Sequence, residues 1–112
     1  IISTDLPEIA IEEKTQFENS LLQTGSNTQL LQNQPNPFIE HSKIQFYLEK
    51  SQNASISLFD INGKIVKQVQ GIYPKGMNEI IIQNNDFPSP GIYFYTLLTE
   101  DFKDTKKMIY LK

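Results

Sequence analysis

The feature that most constrains the fold of this chain is a period-two alternation of apolar and polar residues that begins near residue 43. Two successive runs show it, and their apolar members are Ile44, Phe46 and Leu48 in the first and Ala54, Ile56 and Leu58 in the second. Side chains of a β-strand point alternately to its two faces. The two runs therefore predict strands that each bury one face.

Turn signals divide the rest of the sequence at similar intervals. Residues 60–63 include the pair Asn62-Gly63, which tolerates the positive φ of a tight hairpin turn. The predicted strands lie near residues 28–33, 43–49, 53–60, 64–70, 77–83, 92–99 and 106–111, and the second to fourth are expected to follow one another as a meander. About seven strands in roughly 80 residues predict an all-β fold, an immunoglobulin-like or fibronectin-III-like antiparallel β-sandwich. A single sheet would leave its apolar face in water.

Residues 1–28 differ from the rest in charge and pattern. They carry five acidic residues against Lys14 alone, and residues 23–29 are small and polar throughout, as in a linker. We expect residues 1–28 to be a flexible N-terminal segment, either a linker or the end of an upstream region, and residues 29–112 to be the folded domain. Because the chain starts at Ile1 without Met, we interpret it as the C-terminal piece of a longer protein.

Composition narrows the classes of function. A formal net charge of -3 argues against a nucleic-acid partner, because such a protein needs a basic face to displace counterions from phosphates. The chain has no Cys, which excludes disulfides, thiolate nucleophiles and Cys-ligated metals. No apolar run approaches the length of about 20 residues that spans a bilayer, so no transmembrane segment is predicted.

Candidates for chemistry are few. His41 is the only histidine, and no nucleophile with a base beside it accompanies it, so neither a catalytic triad nor a metal site can be assembled around it. Asn84, Asn85 and Asp86 offer oxygen ligands, but calcium needs several such groups to converge, and an Asx-turn is the simpler interpretation. We therefore expect no enzyme activity, no catalytic residue, no metal and no cofactor; a small hydrolase is the weakest of three hypotheses.

A second hypothesis rests on the tyrosines. Tyr93 and Tyr95 lie two residues apart in a predicted strand and share a face, as an aromatic platform for sugar requires. The hypothesis is a carbohydrate-binding or adhesive module that uses Tyr93, Tyr95 or Tyr73. The competing interpretation is that they belong to the core, because Ile92 and Leu97 extend the same apolar run.

Four ordered elements of the C-terminal part resemble the type IX secretion system C-terminal sorting domain, type A. They are residues 30–38, which read Leu-x-Gln-Asn-x-Pro-Asn-Pro-Phe, residues 60–63, which read Asp-x-x-Gly, residues 91–93, which read Gly-x-Tyr, and residues 106–112, where a Lys pair precedes apolar residues. Each also has a structural interpretation. Two prolines lack the N–H groups that a further strand would pair with, so they end the sheet there. Gly91 permits a sharp turn at the start of a strand. Lysines on a terminal strand prevent aggregation through its edge.

The resemblance implies a secretion signal for an upstream cargo protein. Its expected partners are the type IX translocon, outer-membrane shuttle proteins and a sortase-like cysteine protease that cuts in the linker. The expected path leads through the periplasm to the outer membrane, the cell surface or the medium. The residues that it assigns to translocon recognition are Pro35, Asn36, Pro37, Phe38, Gly63, Gly91, Tyr93, Lys106, Lys107 and Lys112. An unpaired edge of the terminal strand is a further expected docking site, by strand addition.

Overall fold

The computed structural model describes residues 27–112, which consist of β-strands joined by turns and short loops. The strands are β1 (Gln29–Leu30), β2 (His41–Leu48), β3 (Gln52–Asp60), β4 (Ile65–Tyr73), β5 (Gly76–Gln83), β6 (Gly91–Leu98) and β7 (Lys103–Tyr110). A 3-10 turn at Asn84–Asp86 lies between β5 and β6. The linker predicted for residues 1–28 falls outside the described residues except for Asn27 and Thr28, and the domain boundary stays a prediction.

The strands form two antiparallel sheets. One sheet has three strands in the order β1-β2-β5, and the other has four in the order β4-β3-β6-β7. The predicted antiparallel β-sandwich is confirmed, with its seven strands close to the expected positions. The largest shifts are equal: β1 ends at Leu30 and not near residue 33, and β4 ends at Tyr73 and not near residue 70. In the same way, β7 begins at Lys103 and not near residue 106. Its first three residues are all polar, so no apolar alternation marks them.

The core lies between the two sheets and is built from the alternating positions that the sequence predicts. The largest side chains with less than 2% of their surface exposed are Tyr95, Phe38, Phe46, Ile44, Leu48, Ile56, Leu58, Ile82, Leu97, Met108 and Asn33. Burial of a Leu, Ile or Phe side chain stabilises the fold by about 1.5–3 kcal/mol each. Five of the six longer strands therefore supply fully buried core residues, including the terminal strand β7 through Met108, and β4 adds the partly buried Val66, Val69 and Tyr73.

The predicted meander of the second to fourth strands is wrong in one connection. β3 and β4 do form a hairpin, but β2 pairs with β1 and β5, and it lies in the other sheet. The connection of residues 49–51 contains no Gly, and a short hairpin loop favours a residue with positive φ. Alternation alone cannot show this difference, because strands of both sheets bury one face in the same way.

The hairpin between β3 and β4 matches its sequence signal. Gly63 takes a φ of +86° and its N–H donates to the Asp60 carbonyl oxygen at 3.0 Å. The Asp60 carboxylate accepts hydrogen bonds from the N–H groups of Asn62 and Lys64, each at 2.9 Å. The Asp-x-x-Gly element is thus an Asx-type turn in which the aspartate satisfies two backbone donors and the glycine supplies the left-handed conformation.

Candidate recognition surface

The four sequence elements that are separated along the chain meet at one end of the sandwich. At this end β3, β5 and β7 finish and β2, β4 and β6 begin, so that Gly91 pairs with Tyr110 and Asp60 with Tyr93 across neighbouring strands. We call it the motif end. Antiparallel order explains the convergence, since each element either closes a strand that arrives at this end or opens one that leaves it.

The chain enters the domain at the opposite end. Gln29 of β1 pairs with Tyr47 near the end of β2, and the Asn27 N–H donates to the Glu49 carboxylate at 3.0 Å. An eight-residue strand such as β2 spans about 26 Å at roughly 3.3 Å per residue. Whatever precedes Asn27 therefore joins the domain about one strand length away from the motif end.

The Pro-Asn-Pro-Phe element crosses from one sheet to the other. Gln34 exchanges two backbone hydrogen bonds with Lys43 of β2. Further along, the Phe38 N–H donates to the Ile109 carbonyl oxygen at 3.0 Å, and the Leu111 N–H donates to the Phe38 carbonyl oxygen at 2.8 Å. The peptide bonds before Pro35 and Pro37 are both cis. This segment closes the side of the sandwich between β1 and β7.

Side chains of the first sequence element, residues 30–38, cover more of the outer edge of β7. The Asn36 amide oxygen accepts a hydrogen bond from the Ile109 N–H at 2.9 Å, and the Gln32 amide donates to the Lys107 carbonyl oxygen at 2.7 Å. The edge of residues 107–111 is thus occupied by the chain itself. The expected unpaired terminal edge is wrong for these residues, because the first sequence element already fills the position that an added strand would take.

Four aromatic rings fill the motif end beneath this segment. The ring of Phe38, which is 1% exposed, lies 5.2 Å from Tyr110 and 5.5 Å from Phe87. Phe87 in turn contacts Tyr93 edge-on at 4.7 Å. Aromatic pairs at such distances add stabilisation beyond their buried area. This aromatic cluster joins the first, third and fourth sequence elements into one packed unit.

Tyr93 has a structural role of its own. Its hydroxyl donates to the Ser89 carbonyl oxygen at 2.6 Å, at the corner where the chain passes from the 3-10 turn into β6. A tyrosine near the start of this strand that binds backbone a few residues upstream is the tyrosine corner of immunoglobulin-like sandwiches. Since Tyr93 is 3% and Tyr95 0% exposed, both are core residues, and the aromatic sugar platform predicted for them is wrong.

A buried polar network holds the chain just before the prolines. The Asn33 amide nitrogen donates to the Ser42 hydroxyl at 2.9 Å, and that hydroxyl donates to the Pro35 carbonyl oxygen at 2.8 Å. The Tyr95 hydroxyl accepts from the Asn33 N–H at 2.8 Å and donates to the Leu31 carbonyl oxygen at 2.7 Å. Sequence reasoning missed this network. The available signal was Ser42, a polar residue at an inward position of β2.

The network makes stability dependent on alkaline pH. Burial raises the pKa of Tyr95 well above its ordinary value of 10.0; the hydrogen bond from Asn33 opposes this shift and the charge of Asp104 adds to it. Because the folded-state pKa is raised, the stabilisation is complete below the unfolded-state pKa and is lost as pH rises from there towards the folded-state pKa.

We expect Tyr95→Phe to lower the free energy of unfolding by about 1–3 kcal/mol at neutral pH, because the Asn33 N–H and the Leu31 carbonyl lose their buried partner. Above pH 10 the unchanged protein should lose up to about 1.4 kcal/mol more per pH unit than the variant does. Urea unfolding of both proteins from pH 8 to 11 measures this difference. Equal slopes would contradict it.

The predicted lysines lie in different environments. Lys106 points to the inner face of β7, is half-buried, and forms an ion pair with Asp104 at 3.7 Å. Lys107 points to the outer face and is exposed, as is Lys112 at the end of the chain. Pro35, Asn36, Pro37 and Gly63 are exposed at the motif end, and Gly91 is half-buried there. Only Phe38 and Tyr93 of the predicted recognition residues are buried in the folded domain.

The candidate groups for chemistry have structural partners or lie apart. The Asp86 carboxylate accepts a hydrogen bond from the Gln83 N–H at 2.8 Å, as the third residue of a capping box does, and it forms an ion pair with Lys67 at 3.1 Å. His41 is exposed at the start of β2. Within residues 27–112 no three His, Cys, Asp or Glu side chains converge in a way that could hold a metal ion. No helix in the same residues has the length and hydropathy that crossing a membrane demands.

Comparison with solved structures shows the same sandwich in other proteins. PorZ of Porphyromonas gingivalis, described as an essential bacterial surface component of the type-IX secretion system, superposes with a TM-score of 0.52 at 13% identity over 84% of this chain. A β-glucosidase from Kluyveromyces marxianus superposes with a TM-score of 0.51 at 11% identity over 78% of this chain. The chain spans only 12% and 15% of those two proteins. At these identities the likeness shows the fold alone.

Sequence comparison identifies the family. No curated protein matches the chain, but the family model described as the secretion system C-terminal sorting domain matches residues 34–111. This range runs from the two prolines to the end of β7 and includes the two elements between them. The match does not distinguish a subtype, so type A stays a prediction. The chain belongs to the C-terminal sorting domains of the type IX secretion system.

Proposed function

We propose that this domain directs an upstream cargo protein to the type IX translocon by presenting its motif end, while the cargo follows from the opposite end. The observation that carries the proposal is the convergence of all four sequence elements at one end, about one strand length from the point where the chain enters. A rigid sandwich offers these groups in fixed positions and loses less conformational entropy on binding than a disordered signal would.

The family places the chain in export towards the outer membrane, the cell surface or the extracellular space. In the proposed sequence of events, the folded domain is recognised in the periplasm, shuttle proteins receive it at the outer membrane, and a sortase-like cysteine protease cuts in residues 1–28. Proteases act on extended, accessible backbone, and the acidic, polar composition of that stretch suits such a role. The domain itself then serves as a signal and not as a catalyst.

Differences in burial support two proposed roles for the predicted recognition residues. Phe38 and Tyr93 are buried, and we propose that they act by building the motif end. Pro35, Asn36, Pro37, Lys107 and Lys112 are exposed at or next to it and are the groups that a partner can touch. Gly63 and Gly91 both have positive φ, +86° and +150°, and we propose that they set the backbone of the two loops at that end.

The experiment compares two fusions of the whole chain to one periplasmic reporter, expressed in a host that has type IX machinery. With the reporter before Ile1, the motif end is free, and surface labelling should detect the reporter on intact cells. With the reporter after Lys112, cargo covers the motif end, and surface labelling should fall to the level of a host without the translocon. Equal export of both fusions would contradict recognition at the motif end. No export of the first fusion would contradict the proposed function itself.

A further inference from the structure

An exposed apolar patch lies on the outer face of the four-stranded sheet next to the motif end. The rings of Phe59 and Phe94 stack there with centroids 5.8 Å apart and an angle of 23° between their planes. Ile65 opposes Phe59 and is 53% exposed, while Ile92 opposes Ile109 and is 44% exposed. We call these five residues the outer patch. None of them belongs to the buried core.

The row of the same face next to the outer patch is polar, and the two exposed apolar residues beyond it, Leu98 and Ile72, stand singly opposite Ser55 and Asn53. Moving from the outer patch towards the entry end, the next row across the strands consists of Gln68, Ser57, Thr96 and Thr105, of which the two threonine hydroxyls share a hydrogen bond of 2.7 Å. A sheet face that is exposed to water normally carries polar residues. Apolar residues grouped at one end of such a face indicate a contact surface.

The outward strand positions around the outer patch carry charges of one sign, and the neighbouring Asp60 carboxylate is engaged by the N–H groups of Asn62 and Lys64 in the turn. Lys107 opposes Phe94 in the next strand, and no described carboxylate forms an ion pair with it. Within the described strands, the outward positions of this sheet carry Lys103 and Lys107 and no Asp or Glu. The outer face of the other sheet is balanced by contrast, because Lys43 there pairs with Glu79 at 3.7 Å. The outer patch is therefore complementary to an apolar surface with carboxylates at its margin.

A groove extends the outer patch over the edge of the motif end. Its volume is about 420 Å³, and it runs between the turn at Asp60 and Ile61 and the segment of residues 88–93. Ile61 is 69% exposed beside it. Gly91 lies in the groove, and apart from its two chain neighbours no residue has an atom within 4 Å of the position that a Cβ would take. The groove thus has room for a side chain of a partner next to the apolar surface.

We propose that the outer patch and this groove form the surface through which the export machinery holds the domain, and that the occupant is a protein surface with an apolar centre and carboxylates facing Lys107. The inference rests on the proposed function. In this inference the partner binds the exposed side chains on the outer face of the four-stranded sheet, and the residues that build the motif end only support that surface. It also leaves the occupied edge of β7 undisturbed.

The test uses the reporter fused before Ile1 and two matched double variants. Ile65→Thr with Ile92→Thr makes the outer patch polar, whereas Met77→Thr with Ile81→Thr makes the same change on the opposite sheet, at residues that are 56% and 45% exposed. Both pairs replace exposed strand residues by a β-branched residue, so melting curves should match the unchanged domain. Surface reporter should fall about tenfold or more for the outer-patch variant, because a few central apolar residues dominate an interface. It should stay unchanged for the other. Lys107→Glu should lower surface reporter as well.

The outcomes separate this inference from the proposed function. Export of the unchanged fusion together with equal export of the outer-patch variant would overturn the binding role of the outer patch and leave the sorting function standing.

Two binding assays of the purified chain test for other occupants of the outer patch. Co-sedimentation with vesicles of phosphatidylcholine and phosphatidylglycerol that Ile65→Thr with Ile92→Thr abolishes would assign the surface to lipid. Concentration-dependent self-association that the same variant abolishes would assign it to a second copy. Either result would overturn the proposal that a protein of the export machinery occupies this surface.

Discussion

Removal of residues 106–112 is expected to prevent the domain from folding, and not only to delete an exposed signal. Met108 is fully buried, and Tyr110 stacks on Phe38 and contacts Phe87. Loss of a buried Met side chain alone costs about 2–5 kcal/mol, and the deletion also removes the backbone partners of β6 and of Phe38. The total approaches the whole stability of a small domain, about 5–15 kcal/mol. Circular dichroism and amide NMR dispersion should show an unfolded chain.

Removal of Lys112 alone is the matched control for this deletion. Lys112 is exposed and lies beyond the last strand, so its loss should change the free energy of unfolding by about 0.5 kcal/mol or less. A chain that lacks residues 106–112 but keeps a cooperative melt would contradict the structural role of β7. If that folded chain also failed to export, the tail would be a recognition element independent of the fold.

The sequence predicts the sandwich because its strands are amphipathic at a period of two. Ile44, Phe46 and Leu48 lie inward as expected, and Gly63 takes the positive φ that its turn requires. The pairing of β2 was not predictable, since the inward faces of β2 and β3 have the same pattern although they line opposite sides of the core. Which sheet a strand joins depends on connections and on packing of the whole core, and local alternation carries neither.

The candidate site was predictable only as a set of separate elements. The family pattern pointed to Pro35, Gly91 and Lys107 one by one, but their common location follows from the direction of the strands. The contact between Asn36 and Ile109 joins residues that lie 73 positions apart, and no local pattern encodes such a distance. The family pattern also treats Lys106 and Lys107 alike, whereas in the folded domain Lys106 is half-buried and Lys107 is exposed.

Phe38→Ala is expected to produce the largest effect of any single substitution in the first element. The ring is 1% exposed, and it lies between Tyr110 and Phe87 at 5.2 and 5.5 Å. Truncation of a buried Phe to Ala costs about 3–5 kcal/mol. Part of this loss comes from the backbone of residues 34–38. Without the buried ring, nothing fixes the position of Phe38 for its backbone hydrogen bonds to Ile109 and Leu111. Urea unfolding at neutral pH measures the change.

The neighbouring substitution Ile39→Ala provides the control, because Ile39 is 56% exposed and its loss should cost no more than about 0.5 kcal/mol. Export then tells whether Phe38 acts through folding. If the reporter fusion of Phe38→Ala recovers surface exposure at a lower growth temperature, where the variant refolds, Phe38 serves to build the motif end. If a folded Phe38→Ala domain stays inside the outer membrane, the machinery must bind this side chain after it has left the core. Residues 34–38 would then have to detach from β7 during transport.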